Sequence, residues 1–289
     1  MTSAPSQLQA PFVRSDVGRL RAALVVKPSP ALAGVQPTHG ESHAIGERAL
    51  EQFAVFTNRL AAHGVAATVL ESSVAAPLAA LSADAAVFFQ DGAFLMRPSD
   101  PKRRSEIAAV EAALVAAQIP IVGRIVAPGL LDGADVLLAG DVAYIGVPRM
   151  RRSEIGIPAA VHGNVLGREQ LAAYVATRNM RAIPVAINTD VRRLRAVASL
   201  VDAQTLLFAP GVIDGSAFTG LRLLEAPRGE DYGAGVLALG PGRVLANVRF
   251  RKTLPLLRKA KIAVDAIDLW EFGKIGATPS LLALALKRD

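Results

Sequence analysis

Residues 131–147 read Leu131-Asp132-Gly133-Ala134-Asp135-Val136-Leu137-Leu138-Ala139-Gly140-Asp141-Val142-Ala143-Tyr144-Ile145-Gly146-Val147. Two short apolar runs, Gly133 to Leu138 and Val142 to Val147, flank Gly140-Asp141. A Gly-Asp pair between such runs is the signature of a β-hairpin. Beyond it, helical spacing covers about Arg168 to Thr177, and Ala182 to Ile187 is again a strand. The unit is therefore hairpin, helix, strand.

The same unit recurs on both sides. Upstream, Ala85 to Gln90 and Gly92 to Arg97 flank Asp91-Gly92, a helix is expected over Arg104 to Ala117, and Ile119 to Ile125 is a strand. Before that, Arg21 to Val26 is a strand stopped by Lys27-Pro28 and Pro30. Helical spacing then runs from Ser42 through Ile45, Leu50, Phe53, Phe56 and Leu60, with Ser42 as its expected cap, to a stop at His63-Gly64. Ala66 to Glu71 is a strand. Downstream, the strands Val197 to Val201, Thr205 to Pro210 and Leu221 to Ala226 come first. Gly233 to Leu239 and Arg243 to Val248 then flank the turn Gly240-Pro241-Gly242. A helix over Leu254 to Ala260 and the strands Ile262 to Leu269 and Leu281 to Lys287 close the chain. Recurrence at about 50 residues argues for radial repetition rather than two independent domains, and five units fit. No linker rich in Gly, Ser or Pro divides the chain. The expectation is a flexible N-terminal segment over residues 1–16 and a single domain over 17–289.

Composition narrows the chemistry. Apolar residues make up 52% of the 289 and charged ones 20%, enough to build a large core and the opposite of a disordered balance. No apolar stretch is long enough for a membrane span, and Met1 to Arg14 carries no apolar signal region, so the cytoplasm is the expected location. There is no cysteine, which removes disulfides, thiolate metal sites and cysteine nucleophiles together. The four histidines are His39, His43, His63 and His162, with none after His162. The net charge of +7 is spread over separate clusters, at Lys102 to Arg104, Arg149 to Arg152, Arg192 to Arg195 and Arg249 to Lys252. With aromatics at only 5%, stacking platforms are scarce, and nucleic acid is not the expected partner. His39, Glu41 and His43 carry some ligands of a metal site, but they lack the HExxH helical spacing and read as a polar loop. His63 reads as a dipole-compensating residue at a helix end. No metal and no cofactor are expected.

Three segments carry a family signal. Val87-Phe88-Phe89-Gln90-Asp91 is similar to the FVED strand end of dimethylargininases. Leu131 to Leu137, followed by Gly140-Asp141 and Tyr144-Ile145-Gly146, resembles their LDGGDVL…G…VG stretch. Pro101-Lys102-Arg103-Arg104-Ser105-Glu106 resembles their SRRxE helix start, and Lys274-Ile275 to Leu284 their terminal catalytic strand. The resemblance covers roughly residues 18–286, and its specificity lies in the ordered set. It implies an α/β fold, the pentein: a five-bladed ββαβ propeller with pseudo-fivefold repeats around an axial pocket. In that family the pocket grips a guanidinium between carboxylates, a cysteine attacks the guanidino carbon, and a histidine shuttles protons, giving citrulline.

Carried over residue by residue, the resemblance implies ligand-binding roles for Asp91, Asp132 and Asp135, and for Arg104 as a carboxylate-binding arginine. Each also has a plain structural reading, as a hairpin-turn or capping aspartate or as a solvated arginine at a helix start. The second carboxylate-binding arginine falls either at His162-Gly163-Asn164, ending at Gly167, or at Arg149 to Arg152, ending at Gly156. Arg193, in Arg193-Leu194-Arg195, stands where the family's HLK stretch has the catalytic histidine. Leu281 stands at the nucleophile's place, beside Ser280, and Gly235 replaces an asparagine.

Three functions follow. The first is a catalytically inactive homologue that keeps a pocket for an arginine-like small molecule. The second is an interaction or scaffold protein without a small ligand. The third is a hydrolase of dimethylarginine or arginine that dispenses with cysteine, using water and Asp132 as base. Relatives of the family are often dimers, so a homodimer is an expectation of the same kind.

Overall fold

The first strand of each repeat is mostly apolar on both sides, and that places it at the centre. A strand covered on both faces has no use for polar alternation. In a computed structural model, which describes residues 8–38, 42–149, 163–191 and 193–289, these strands are β3 (Ala86–Phe89), β6 (Val136–Ala139), β9 (Ala198–Asp202), β12 (Leu237–Gly240) and β15 (Leu284–Arg288), and they are buried almost throughout. Each pairs antiparallel with a second strand: β4 (Gly92–Leu95), β7 (Val142–Arg149), β10 (Thr205–Phe208), β13 (Arg243–Asn247) and, for β15, β1 (Leu20–Val26). The second strand pairs in parallel with a third at the rim: β5 (Ile121–Arg124), β8 (Arg181–Asn188), β11 (Arg222–Glu225), β14 (Ala263–Ile267) and β2 (Ala66–Leu70). The third strands are largely exposed or half-buried.

Among the described residues this makes five three-stranded sheets, the expected five-bladed ββαβ propeller. Pairing of β1 with β15, with Ala23 opposite Ala285, joins the two ends of the chain in one blade and closes the ring. Parallel partners need a crossover, and four blades supply a helix for it: α1 (Gly46–Ala62), α2 (Arg104–Ala116), α3 (Val165–Ala176) and α5 (Thr253–Lys259). α1 buries Ala49, Phe53, Phe56 and Leu60, one stripe at helical spacing. In the remaining blade a 3-10 turn at Gly215–Ala217, capped by Asp214, takes the helix's place between β10 and β11.

Two local expectations are corrected. α1 starts at Gly46 rather than Ser42; its cap position is Ile45, whose N–H donates to Glu271 Oε2 at 2.7 Å, so a side chain distant in sequence replaces the local cap. Leu281 lies in a 3-10 turn, Pro279–Leu281, and β15 begins only at Leu284. Ahead of β1, Phe12 and Val13 are buried. Phe12 N donates to Gln90 O at 3.0 Å, and Arg288 N to Phe12 O at 2.8 Å. No helix among the described residues is long and apolar enough to cross a membrane.

Candidate functional site

Each central strand is preceded by a tight turn at the same end of the propeller. These are Ser82–Asp84, Gly133–Asp135, the single helical turn α4 (Leu194–Val197), Asp231–Ala234 and Pro279–Leu281. The turns touch one another: Ser82–Asp84 meets Gly133–Asp135 and Pro279–Leu281, and α4 meets the other three. Residues far apart in sequence thus meet on the axis. The approach is close enough to require glycine. A Cβ on Gly133 would lie 2.3 Å from Ala83 O, and one on Gly235 would lie 2.5 Å from both Ala196 O and Thr278 Oγ1. At Gly235 the Ala196 carbonyl and the Thr278 side chain fill the place that a side chain would take.

At this meeting point lies a buried network of carboxylates and guanidinium groups. Arg193 sits in extended backbone directly before α4, with its side chain 4% exposed. Its Nε donates to Asp84 Oδ1 at 2.9 Å, and its Nη2 makes an ion-pair contact with Asp132 Oδ1 at 2.8 Å. Asp84 and Asp132 are 1% and 0% exposed in their side chains. One guanidinium therefore spans two carboxylates from different blades. The other oxygen of each carboxylate is also engaged. Asp84 Oδ2 accepts from Arg103 Nη1. Asp132 Oδ2 accepts from Ser99 Oγ at 2.6 Å and from Ser99 N at 3.2 Å, and Ser99 Oγ in turn accepts from Gly163 N at 2.7 Å. Arg103 is held by Glu106 Oε2, at 2.8 Å from Nη2 and 3.0 Å from Nε, and donates to Leu78 O at 3.1 Å. The bonds of Arg103 to Glu106 and of Arg193 Nε to Asp84 are directional and charge-assisted, whereas Arg193 Nη2 and Asp132 Oδ1 are paired by charge without a hydrogen bond.

The two acids respond differently. Burial pushes the Asp84 carboxyl up, but Arg193 and Arg103 together outweigh it and hold the group down at about 2. Burial also lifts Asp132, and there the single Arg193 does not offset it; with Asp84 and Asp135 adding repulsion, Asp132 rises to about 6. Arg193 is destabilised by burial but raised above its ordinary range by Asp132, Asp84 and Asp135. The guanidinium is a permanent cation in its cage.

The residues singled out from sequence are brought together only in part. Asp132 and Asp135 lie in the central cluster; Asp135 is buried and its Oδ1 accepts from Leu194 N at 2.9 Å. Asp91 lies elsewhere, in the turn between β3 and β4, equivalent to Asp141 in the turn between β6 and β7. Its side chain is 47% exposed and pairs with Arg178, whose Nη2 is 2.5 Å from Asp91 Oδ2. Arg104 opens α2 half-buried, and it is its neighbour Arg103 that turns into the cluster. Arg149 is an exposed residue 3.9 Å from Asp214, residues 150–162 lie outside the described residues, and Asn164 caps α3 by accepting from Gly167 N at 2.9 Å. Leu281 is fully buried. Ser280 donates to Arg195 O at 2.6 Å and lies 3.0 Å from Thr278 Oγ1, so its hydroxyl is committed to tying two turns together.

Asp84 and Arg103 were missed from sequence. A signal for Asp84 existed: Ser82-Ala83-Asp84 precedes a buried strand and hairpin just as Gly133-Ala134-Asp135 does. His39 and Glu41 lie outside the described residues, and His43 Nδ1 bonds Ala33 O at 3.1 Å. Among the described residues no group of three or more His, Asp or Glu is placed to hold a metal ion. A cavity of about 220 Å³ opens beside the cluster, lined by Val26, Leu81, Ser82, Arg103, Glu106 and Val110 among others; Asp84, Asp132 and Arg193 do not line it.

No family model matches the chain. Individual proteins do. An N(G),N(G)-dimethylarginine dimethylaminohydrolase from Streptomyces coelicolor is 32% identical over 266 residues, 92% of this chain and 96% of that protein. The protein of the same name from Pseudomonas aeruginosa is 23% identical over 237 residues, 82% and 88% of the two chains. Among solved structures, the P. aeruginosa enzyme as a mutant complexed with citrulline superposes with a TM-score of 0.79 at 22% identity, covering 92% of this chain and 99% of that one. An amidinotransferase of saxitoxin biosynthesis from Microseira wollei gives 0.80 at 14% identity, covering 96% and 97%. These structures share the pentein fold with this chain.

Proposed function

Since the chain belongs to the dimethylarginine dimethylaminohydrolase family, we propose that it is a catalytically silent member in which buried carboxylates hold a guanidinium without the family's chemistry. One observation carries this reading: the buried carboxylates Asp84 and Asp132 hold a guanidinium, and it belongs to the chain's own Arg193. Hydrolysis of an amidine needs a nucleophile at the guanidino carbon and a group to move protons. The chain has no cysteine, and Leu281 stands at the expected nucleophile position. At the expected histidine position Arg193 is a cation at every working pH, so it can accept no proton.

A cysteine-free route through water and Asp132 meets two obstacles. Asp132 is fully buried, and both of its oxygens face donors of the chain, Arg193 and Ser99. The same self-contained cluster favours the second reading, an interaction protein in which the propeller is a scaffold and the ion network part of its core.

The test is direct. Purified protein incubated with dimethylarginine and with arginine yields no citrulline above a protein-free control, as read by mass spectrometry. Citrulline that grows with time and with protein concentration would overturn the silent reading.

A further inference from the structure

We infer that Arg193 is a tethered ligand: it fills a guanidinium site in the protein's own axis, closes that site to free arginine-like molecules, and on removal leaves a site selective for a free guanidinium cation. The inference rests on the silent-homologue reading for its functional meaning, but its geometry stands apart from it.

The site has the features of ligand recognition more than of a core ion pair. The cation is planar and is approached on two edges, by Asp84 at Nε and by Asp132 at Nη2. Those carboxylates are fixed independently of Arg193. Arg103 holds Asp84, and is itself anchored by Glu106 and by Leu78 O. Ser99 holds Asp132 through two bonds and is anchored by Gly163 N. The walls therefore have their own supports, so truncating Arg193 empties a preformed cage. Such a cage prefers a planar monocation with N–H donors on adjacent edges. An ammonium offers no planar fork, and urea has the shape without the charge.

Self-occupancy also sets the affinity for outside ligands. The tethered guanidinium competes at an effective concentration in the millimolar range or above, with no translational entropy to lose. Free arginine must displace a guanidinium that is already paired with both carboxylates, so binding to the unaltered chain is suppressed.

The experiment compares Arg193→Ala with the unaltered protein in thermal melts, with guanidinium chloride from zero to 20 mM and NaCl making ionic strength constant. The expected result is a saturable rise in the variant's Tm of roughly 5 °C or more, with methylguanidine similar, urea and ammonium inactive, and the unaltered chain unmoved. A folded Arg193→Ala that responds to guanidinium no more than the unaltered chain does would overturn the inference. If the variant folds only when guanidinium is present during refolding, that is the same rescue. If it folds under no condition, titration of the unaltered chain decides: no saturable heat with arginine supports a filled site, and saturable heat abolished by Asp132→Asn contradicts it. Citrulline formation, by contrast, bears on the silent reading, so the two can fail separately.

Discussion

Two aspartate–arginine pairs sit at opposite kinds of place in this propeller. Asp91 and Arg178 meet at an outer hairpin turn, where Arg178 also lies 3.6 Å over the Tyr174 ring, and both remain substantially exposed. Asp84 and Arg193 meet on the axis and are almost fully buried. The chemistry of the contact is the same, yet its weight differs. Water solvates the outer pair when it breaks, so it contributes about 0–1 kcal/mol. The inner pair has no such alternative: without Arg193, Asp132 loses its ion-pair partner and Asp84 keeps only Arg103, with no water to replace the lost cation. The FVED-like and LDGGD-like motifs point at both regions, and only burial distinguishes a turn from a cage.

Changes that break the inner pair should have the largest effect. Arg193→Ala should lower stability by about 3–5 kcal/mol in denaturant melts, because two buried carboxylates lose their shared cation. A loss below about 1 kcal/mol would put the axial pair in the same class as the outer one.

The second prediction concerns pH and separates the two inner acids. Asp84 is depressed to about 2, so its stabilising contribution is complete above the ordinary aspartate range and is lost as pH falls from about 4 through about 2. Asp132 runs the other way. Between about pH 4 and pH 6 the folded carboxyl keeps a proton that the unfolded chain has released, so stability declines as pH rises through that window and levels off above it. Measured as the difference between the unaltered protein and Asp132→Asn, the decline should be on the order of 2 kcal/mol. A flat difference from pH 4 to 6 would show that Arg193 compensates Asp132 as fully as it does Asp84.

Smaller effects follow outward. Ser280→Ala should cost about 1–2 kcal/mol by leaving Arg195 O without its donor, with no change in any reaction, since the hydroxyl is a tie between turns. At the outer hairpin, Asp91→Asn should cost less than about 1 kcal/mol and leave guanidinium rescue of Arg193→Ala intact. Loss of that rescue would link the outer turn to the cage and erase the contrast between the regions.

Much of the fold was legible in the sequence because its signals are local. Gly140-Asp141 and Gly240-Pro241-Gly242 announce hairpins, and the repeat spacing announces a ring. The helix absent between β10 and β11 was legible too, since residues 211–220 hold Gly211, Gly215 and Gly220 and no helical spacing. The site was less legible because its members meet through tertiary structure. Asp132 and Asp135 carried a motif; Asp84 sits in an alanine-rich run and looks like a lone cap. In Lys102-Arg103-Arg104 the inward arginine depends on a 3-10 turn, Pro101–Arg103, capped by Asp100, that sets where α2 begins. Arg193 is legible only as the residue expected at the place of the family's histidine. That it reaches into a carboxylate pair follows only from the convergence of three turns.

This relative of dimethylargininases is proposed to hold a guanidinium without acting on one. Calorimetric titration of the unaltered protein with dimethylarginine, followed by analysis of the cell contents for citrulline, tests it most directly. Neither saturable heat nor citrulline is expected. Continuous heat accompanied by citrulline would contradict it.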